Sequence, residues 1–501
     1  MRASLCIGVL LALGAAGCAT LDEPFRSHLD APGADVRQCA DWYRALDREV
    51  ANAGVRDAQD ARIPGFPYLR VSRLLASFRD DFAGDEGALR AWTDRLLALD
   101  SAARRHELAN LPQDRFDNLP EPAARLSRRT AVQHTQTCGR LLRELDLADP
   151  GSRVALLERA QVPDDYSSMS RVFGVYAVSR YPFTEGVRRY QEETLAAYRR
   201  ELTTPEGGSV VRYSPPTLPR LPRAAVAAIL ERAAANLLGI PEPSEPDAGA
   251  LFNTYAPIFE IEITGDYDRF GALRWLHGAE MPGVDAADLA VYRIAGWTRY
   301  RGRTLLQLAY TVWFSERPPD SEADLLAGKL DGVTWRVTLA PDGEPLVFDT
   351  IHPCGCYHMF YPTPRAHAVP PPDETPEWMF SPQALPRIAE GERIVLRVAT
   401  RTHYLIRVST AHDAESIVRF ELRQYDDLRS LARFDGGPRS VFGPDGLIAG
   451  TERAERTLFW PMGIEAAGAM RQWGRHATAF VGRQHFDDAD LFEKRFQFDL
   501  R

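Results

Sequence analysis

Seven residues carry the densest reactive chemistry in the chain. His352-Pro353-Cys354-Gly355-Cys356-Tyr357-His358 places two imidazoles and two thiols side by side, with Asp349 three residues ahead of His352. Imidazole and thiolate are ligands for zinc or copper. In an extended strand His352 and His358 would lie about 20 Å apart, at roughly 3.3 Å per residue, too far to share one ion. Proline second and glycine fourth in His352–Gly355 is however a type I turn pattern. Such a turn would gather the ligands, or leave Cys356 and His358 on one face for others to complete. His476 and His485 are the nearest suppliers in kind. The candidate metal set is thus His352, Cys354, Cys356, His358, His476 and His485, though its spacing matches no zinc signature. A second reading is thiol redox chemistry. A Cys-Gly-Cys disulfide would close a small strained ring, and strain makes the bond labile, while neighbouring histidines lower thiol pKa values. In the third, the cysteines are oxidised staples and the histidines hydrogen-bond around them.

Other reactive signatures are missing. No Gly-x-Ser-x-Gly elbow is present. His106-Glu107 is followed by Asn110 where a zinc-protease helix needs its second histidine. Neither a haem-attachment Cys-x-x-Cys-His nor a phosphate-loop lysine motif is found. His277 and Glu280 stand at helical spacing and read as a surface pair. The segment Trp460–Gly474, rich in aromatic residues and glycine, reads as close packing. Lys329 and Lys494 are the only lysines, and neither lies in a motif for Schiff-base or phosphate chemistry.

The N-terminus supplies an address. After Met1-Arg2, an apolar stretch of about a dozen residues closes on Ala15-Ala16-Gly17 and then Cys18, the anatomy of an export signal and too short to span a bilayer, which takes roughly 20 apolar residues. The ending resembles the lipobox of bacterial lipoproteins, with Ala15 where leucine is usual. The resemblance covers residues 1–18 only. It implies cleavage before Cys18 and acylation of that cysteine, enough buried CH₂ groups for stable anchoring. Ala19, where the inner-membrane retention signal would have Asp, implies the outer membrane, with the protein facing the periplasm. Four further cysteines then remain in an oxidising compartment: Cys39, Cys138, Cys354 and Cys356, all disulfide candidates. The simplest pairing joins Cys39 to Cys138 and Cys354 to Cys356; pairing across domains is the alternative.

The formal charge is −9 over 501 residues. That mild acidity argues against nucleic acid as a partner, since a nucleic-acid binder needs a dense basic face. The expected partners are the membrane, through the lipid, and a protein or small ligand of unspecified kind.

These residues require positioning elements. Residues 18–36 read as a polar tether holding Pro24, Pro32 and Gly33. Residues 37–203 carry helical periodicity: Cys39, Trp42, Tyr43, Leu46 and Val50 fall on one face, as do Leu89, Trp92, Leu96, Leu97 and Leu99, with similar segments at 124–147 and 184–202. Residues 204–249 read as a proline-rich linker with a short helix. From 250 to 501 the texture is that of strands, in 257–264, 303–314, 333–339, 346–351, 393–409 and 496–500, with Asp342-Gly343 turning a hairpin. Residues 362–386, with eight prolines, read as an extended surface loop. The expected fold is α+β, a helical N-terminal layer followed by a mainly antiparallel β domain. The expected function is an envelope lipoprotein that binds a ligand or partner; the alternative is a periplasmic metal-binding or thiol-redox enzyme acting at 352–358.

Overall fold

The computed structural model describes residues 24–82, 84–120, 127–372, 375–412, 418–434 and 436–500. The signal segment and Cys18 lie outside the described residues. The fold is α+β, with N-terminal helices followed by antiparallel and mixed sheets, and the chain divides into two compact units: residues 1–163 with 437–444, and 164–436 with 445–501. Among the described residues no helix is long and apolar enough to cross a membrane.

In the first unit, helices Ala34–Ala53, Glu86–Asn110 and Arg128–Ala148 form, and the predicted faces of the first two are buried at Trp42, Leu46, Trp92 and Leu96, each at most 1% exposed, while Leu89 and Leu99 are part-buried. Side-chain caps open two of them: Asp85 accepts from the Ala88 amide and Ser127 from that of Thr130. Gly54, at φ 65°, ends the first in the left-handed conformation that glycine tolerates. Cys39 and Cys138 form a disulfide between two of these helices, as the simplest pairing had it. Two features departed from expectation. The tether does not reach residue 36, because helix Phe25–Leu29 packs His28 against Asp146 at 3.0 Å; Pro24 and Gly33, which look like linker residues, sit at helix N-termini instead. An antiparallel hairpin, Ala61–Ile63 with Phe66–Val71, also lies in this helical region.

Arg70 lies on that hairpin, fully buried. Its guanidinium meets Glu107 at 2.6 Å and Asp100 at 3.2 Å, while Arg104 meets Glu107 at 3.0 Å and Asp47 at 2.6 Å. Burial pushes the Glu107 carboxyl up, but Arg70, Arg104 and Arg62 outweigh it and hold the group far below the carboxylate range.

The second unit starts at residue 164, not 204, so helix Tyr176–Arg199 belongs to it. The segment expected to be a linker is built into its core. Ser209–Ser214 is a strand, and helices Arg223–Ala233 and Glu245–Tyr255 bury Val226, Leu230, Leu251 and Phe252. Their prolines open helices: Pro222 caps the first and Pro246 sits in the first turn of the second.

Two sheets dominate. Six strands run in the order Met359–Pro362, Pro345–Ile351, Gly328–Leu339, Arg303–Arg317, Ala290–Tyr300, Glu421–Gln424, all antiparallel except the last, which is parallel to its neighbour. Five strands run Leu405–His412, Glu392–Val398, Ile258–Ile263, Ser209–Ser214, Val418–Arg419, with parallel pairing between the second and third and between the last two. Within seven residues, 418–424, the chain thus forms one edge of each sheet. The hairpin predicted around Asp342-Gly343 is present, with Gly343 at φ 79°. Residues 393–409 are two strands folded on each other, not one. Phe496–Phe498 pairs with Ala366–Ala368, so the proline-rich loop contains a strand, and its Leu385 is buried. Aromatic and branched side chains between the sheets, among them Phe259, Phe270, Tyr310, Trp335 and Leu396, form the core.

Candidate ligand chamber and thiol turn

The segment 352–358 joins two adjacent antiparallel strands, Pro345–Ile351 and Met359–Pro362. It is a tight turn, as the proline and glycine spacing predicted: the Gly355 amide donates to the His352 carbonyl at 2.8 Å, and the His352 amide to the Cys356 carbonyl at 3.0 Å. Gly355 has φ 91°, and a Cβ there would fall 2.4 Å from the Ala477 carbonyl oxygen, so only glycine fits. Arg471 clamps the turn from outside, its amide donating to the Pro353 carbonyl and its Nε to that of Cys354. Tyr357 follows at φ 62°, rare for a residue with a side chain.

Cys354 and Cys356 are buried thiols and not the disulfide of the simplest pairing. The two sulphurs share a hydrogen bond instead. That bond, with Arg453 nearby, holds the Cys354 thiol below its ordinary range against the pull of burial; the same bond and burial push Cys356 well up.

The six candidate metal ligands do not come together as a site. His352 pairs through Nδ1 with Asp331 at 3.1 Å. Asp331 also holds His403 at 2.9 Å and lies 3.4 Å from Arg453. Burial would raise its carboxyl, but His352 and Arg453 bring it well below the usual range. His358 donates through Nε2 to Asp349 at 2.9 Å and accepts at Nδ1 from Gln484 at 2.8 Å, so both ring nitrogens are committed. Asp349 is in turn gripped by Arg336 at 2.9 and 2.6 Å. His476 is buried against the Pro353 carbonyl; burial, with Arg471 nearby, lowers it to about 3. His485 lies among Asp164, Asp165 and Asp488 at 3.5–3.6 Å. Among the described residues no three His, Cys, Asp or Glu side chains are placed to hold one ion.

What the turn does form is a wall. Cys356, Tyr357 and His358 line a chamber of about 660 Å³ whose opposite side is helix Tyr176–Arg199, through Phe183, Val187 and Tyr190. Tyr357 packs at 5.1 Å from Tyr190 and 4.7 Å from Tyr404, and Phe459 at 4.7 Å from Phe480 and 5.3 Å from Phe183, ring centre to ring centre. Neither His476 nor His485 lines it.

Besides the exposed Glu193, two carboxyls line this space. Glu377 accepts from the Val481 amide at 2.6 Å, yet burial lifts it to about 7. Glu455, 4% exposed, is also raised to about 7 by burial, against the opposing charges of Arg453 and Arg317. Neither carboxyl forms an ion pair among the described residues. Both were missed in the sequence: Glu377 sits in the proline-rich stretch and Glu455 in an ordinary polar run, with no local pattern to single them out. The helix wall was expected in part, as a helix over 184–202; the helix starts earlier, at Tyr176, and its Phe183, Val187 and Tyr190 face, at three- and four-residue steps, was not singled out.

The chain matches no protein-family model, no curated protein and no solved structure.

Proposed function

We propose that this chain is an exported lipoprotein, anchored through Cys18 at the outer membrane and facing the periplasm, whose second unit binds a small, largely apolar ligand. The observation that carries the ligand reading is the chamber itself. Its volume of about 660 Å³ and its aromatic walls, set with a few polar groups, suit a small-molecule site. Protonated Glu377 and Glu455 would fix a polar end of the ligand, while the tyrosine and phenylalanine rings cover the rest. The lipobox resemblance of Ala15–Cys18 supports the anchor, and the Cys39–Cys138 disulfide suits an oxidising compartment.

The test is a displacement assay with an environment-sensitive apolar dye, alongside native mass spectrometry of the purified protein. Dye uptake at one site per chain, or a co-purified small molecule, is expected, and Val187→Trp, which thickens the chamber wall, should abolish either. A wild-type protein that takes up neither dye nor ligand would remove the reading. Metabolic labelling with a fatty acid tests the anchor separately: Cys18→Ser should lose the label.

One observation favours a second reading, thiol-redox chemistry. The Cys354 and Cys356 pair is reduced, and Cys356 faces the chamber. A dithiol count that drops by two when the protein meets a small disulfide would establish it.

A further inference from the structure

Sixteen large apolar side chains stand exposed among the described residues, and eight of them fall within residues 169–181 and 458–460. Val172 and Phe173 are each 71% exposed, and Val178, Met169 and Tyr181 follow closely. The two stretches adjoin. The Ser167 amide donates to the Gly463 carbonyl at 2.7 Å, Arg171 Nε to that of Met462 at 2.8 Å, and the Phe183 and Phe459 rings are in contact. A continuous apolar patch of this kind marks an interaction surface.

Two further observations say what covers it. First, the patch runs into the chamber mouth: Leu458 is both half exposed and a lining residue, and Pro182 and Phe183 continue inward from Tyr181. Second, the patch carries a basic rim. Within residues 168–190 the exposed charges are Arg180, Arg188 and Arg189 against one acid, Glu185, in a chain whose net charge is −9, while Arg171 turns its guanidinium to the Met462 and Gly482 carbonyls. A second copy of the chain would set that rim against itself, whereas an anionic surface complements it. Apolar side chains at the centre with arginines beside them are the arrangement of an element lying in a membrane interface.

We propose that this patch docks on an anionic phospholipid bilayer, with Val172, Phe173, Val178 and Tyr181 at the boundary between headgroups and acyl chains. Arg180 and Arg189 then lie level with the lipid phosphates. The chamber mouth faces the bilayer, so its ligand is an amphiphile exchanged with the membrane. The docking stands apart from what the chamber holds and does not require the lipid anchor.

The experiment uses residues 19–501, which keep every described element and lack the signal and Cys18. Flotation with vesicles of phosphatidylethanolamine and phosphatidylglycerol in equal amounts should carry the protein, and vesicles of phosphatidylcholine alone should carry far less. Phe173→Glu with Val178→Glu, both at exposed positions, should lower the affinity on the order of tenfold or more while leaving the unfolding transition unchanged. Brominated lipid should quench the emission of Trp460, a loss absent in Trp460→Phe. Val187→Trp should float as the wild type does, which separates failure of the chamber reading from failure of docking. Equal flotation of the double variant and the wild type, no flotation of either, or a stable dimer broken by the same two substitutions would each overturn the proposal.

Discussion

The ionic network of the first unit and the chamber of the second bury carboxylates by opposite means, although elsewhere in the second unit Asp331 and Asp349 are paired as the network's acids are. In the first, Glu107, Asp100 and Asp47 meet Arg70 and Arg104 within about 3 Å, and the resulting network is closed: each charge inside has an opposite charge beside it. In the second, Glu377 and Glu455 enter a chamber without an ion-pair partner, and burial keeps the proton on both up to about pH 7. A closed ionic network is framework, since removing one member strands the others. Carboxyls left without a counter-charge in a cavity are candidates for contact with something not part of the chain.

The largest effect should come from opening the network. Arg70→Met strands Glu107 and Asp100 in a buried site and should cost the first unit about 3–5 kcal/mol in denaturant unfolding; a loss below about 1 kcal/mol would mean water already reaches the network and the contrast fails.

The chamber carboxyls should respond with the reverse sign and with a pH dependence. Their folded-state values lie above the usual 4.5 of an unfolded chain. Below pH 4.5 both states hold the proton and nothing is lost. Between about 4.5 and 7 the unfolded chain ionises while the folded one does not, so the folded state loses ground as pH rises. Glu455→Gln should therefore raise stability at pH 8, by no more than about 3 kcal/mol, and leave it unchanged at pH 4.5. Glu107 runs the other way: its contribution is present above pH 4.5 and is lost as pH falls further. A Glu455→Gln gain equal at both pH values would show that its carboxyl is not held protonated.

Smaller again, Gly355→Ala should destabilise the second unit by roughly 2 kcal/mol, since the new methyl group meets the Ala477 carbonyl at a positive φ. It should also weaken dye binding in the chamber, because the turn is one of its walls. The smallest effect is expected at Arg90, whose ion pair with Glu144 is half exposed. Arg90→Ala should change stability by less than about 0.5 kcal/mol, which isolates burial, not charge, as the cause of the large loss at Arg70.

Local patterns were readable in the sequence wherever one face of an element had to be apolar. The helical faces of Trp42 and Trp92, the Asp342-Gly343 hairpin and the tight turn at Pro353-Gly355 follow from spacing alone. Prolines misled. Pro24, Pro222 and Pro246 open helices, yet the same residue type also punctuates linkers, and only packing separates the two. The site was legible in part. The 352–358 segment does border the chamber, but its histidines are drawn to Asp349, which the sequence placed beside them, and to Asp331, an acid on the neighbouring strand to which no motif pointed. Glu377, Glu455 and Tyr404 reach the chamber from loops and from the strand hairpin near its turn, and contacts of that sequence separation leave no periodic trace.

The short run 418–424 has a consequence for solubility. An uncapped border strand offers its amides and carbonyls to any passing peptide. Here Val418–Arg419 pairs with Tyr213 and Ser214, the end of Ser209–Ser214, and Glu421–Gln424 shields the start of Ala290–Tyr300, so one clasp guards part of two rims at once. A protease cut within the clasp would bare both, and the nicked protein would be expected to aggregate through strand addition before its core had melted.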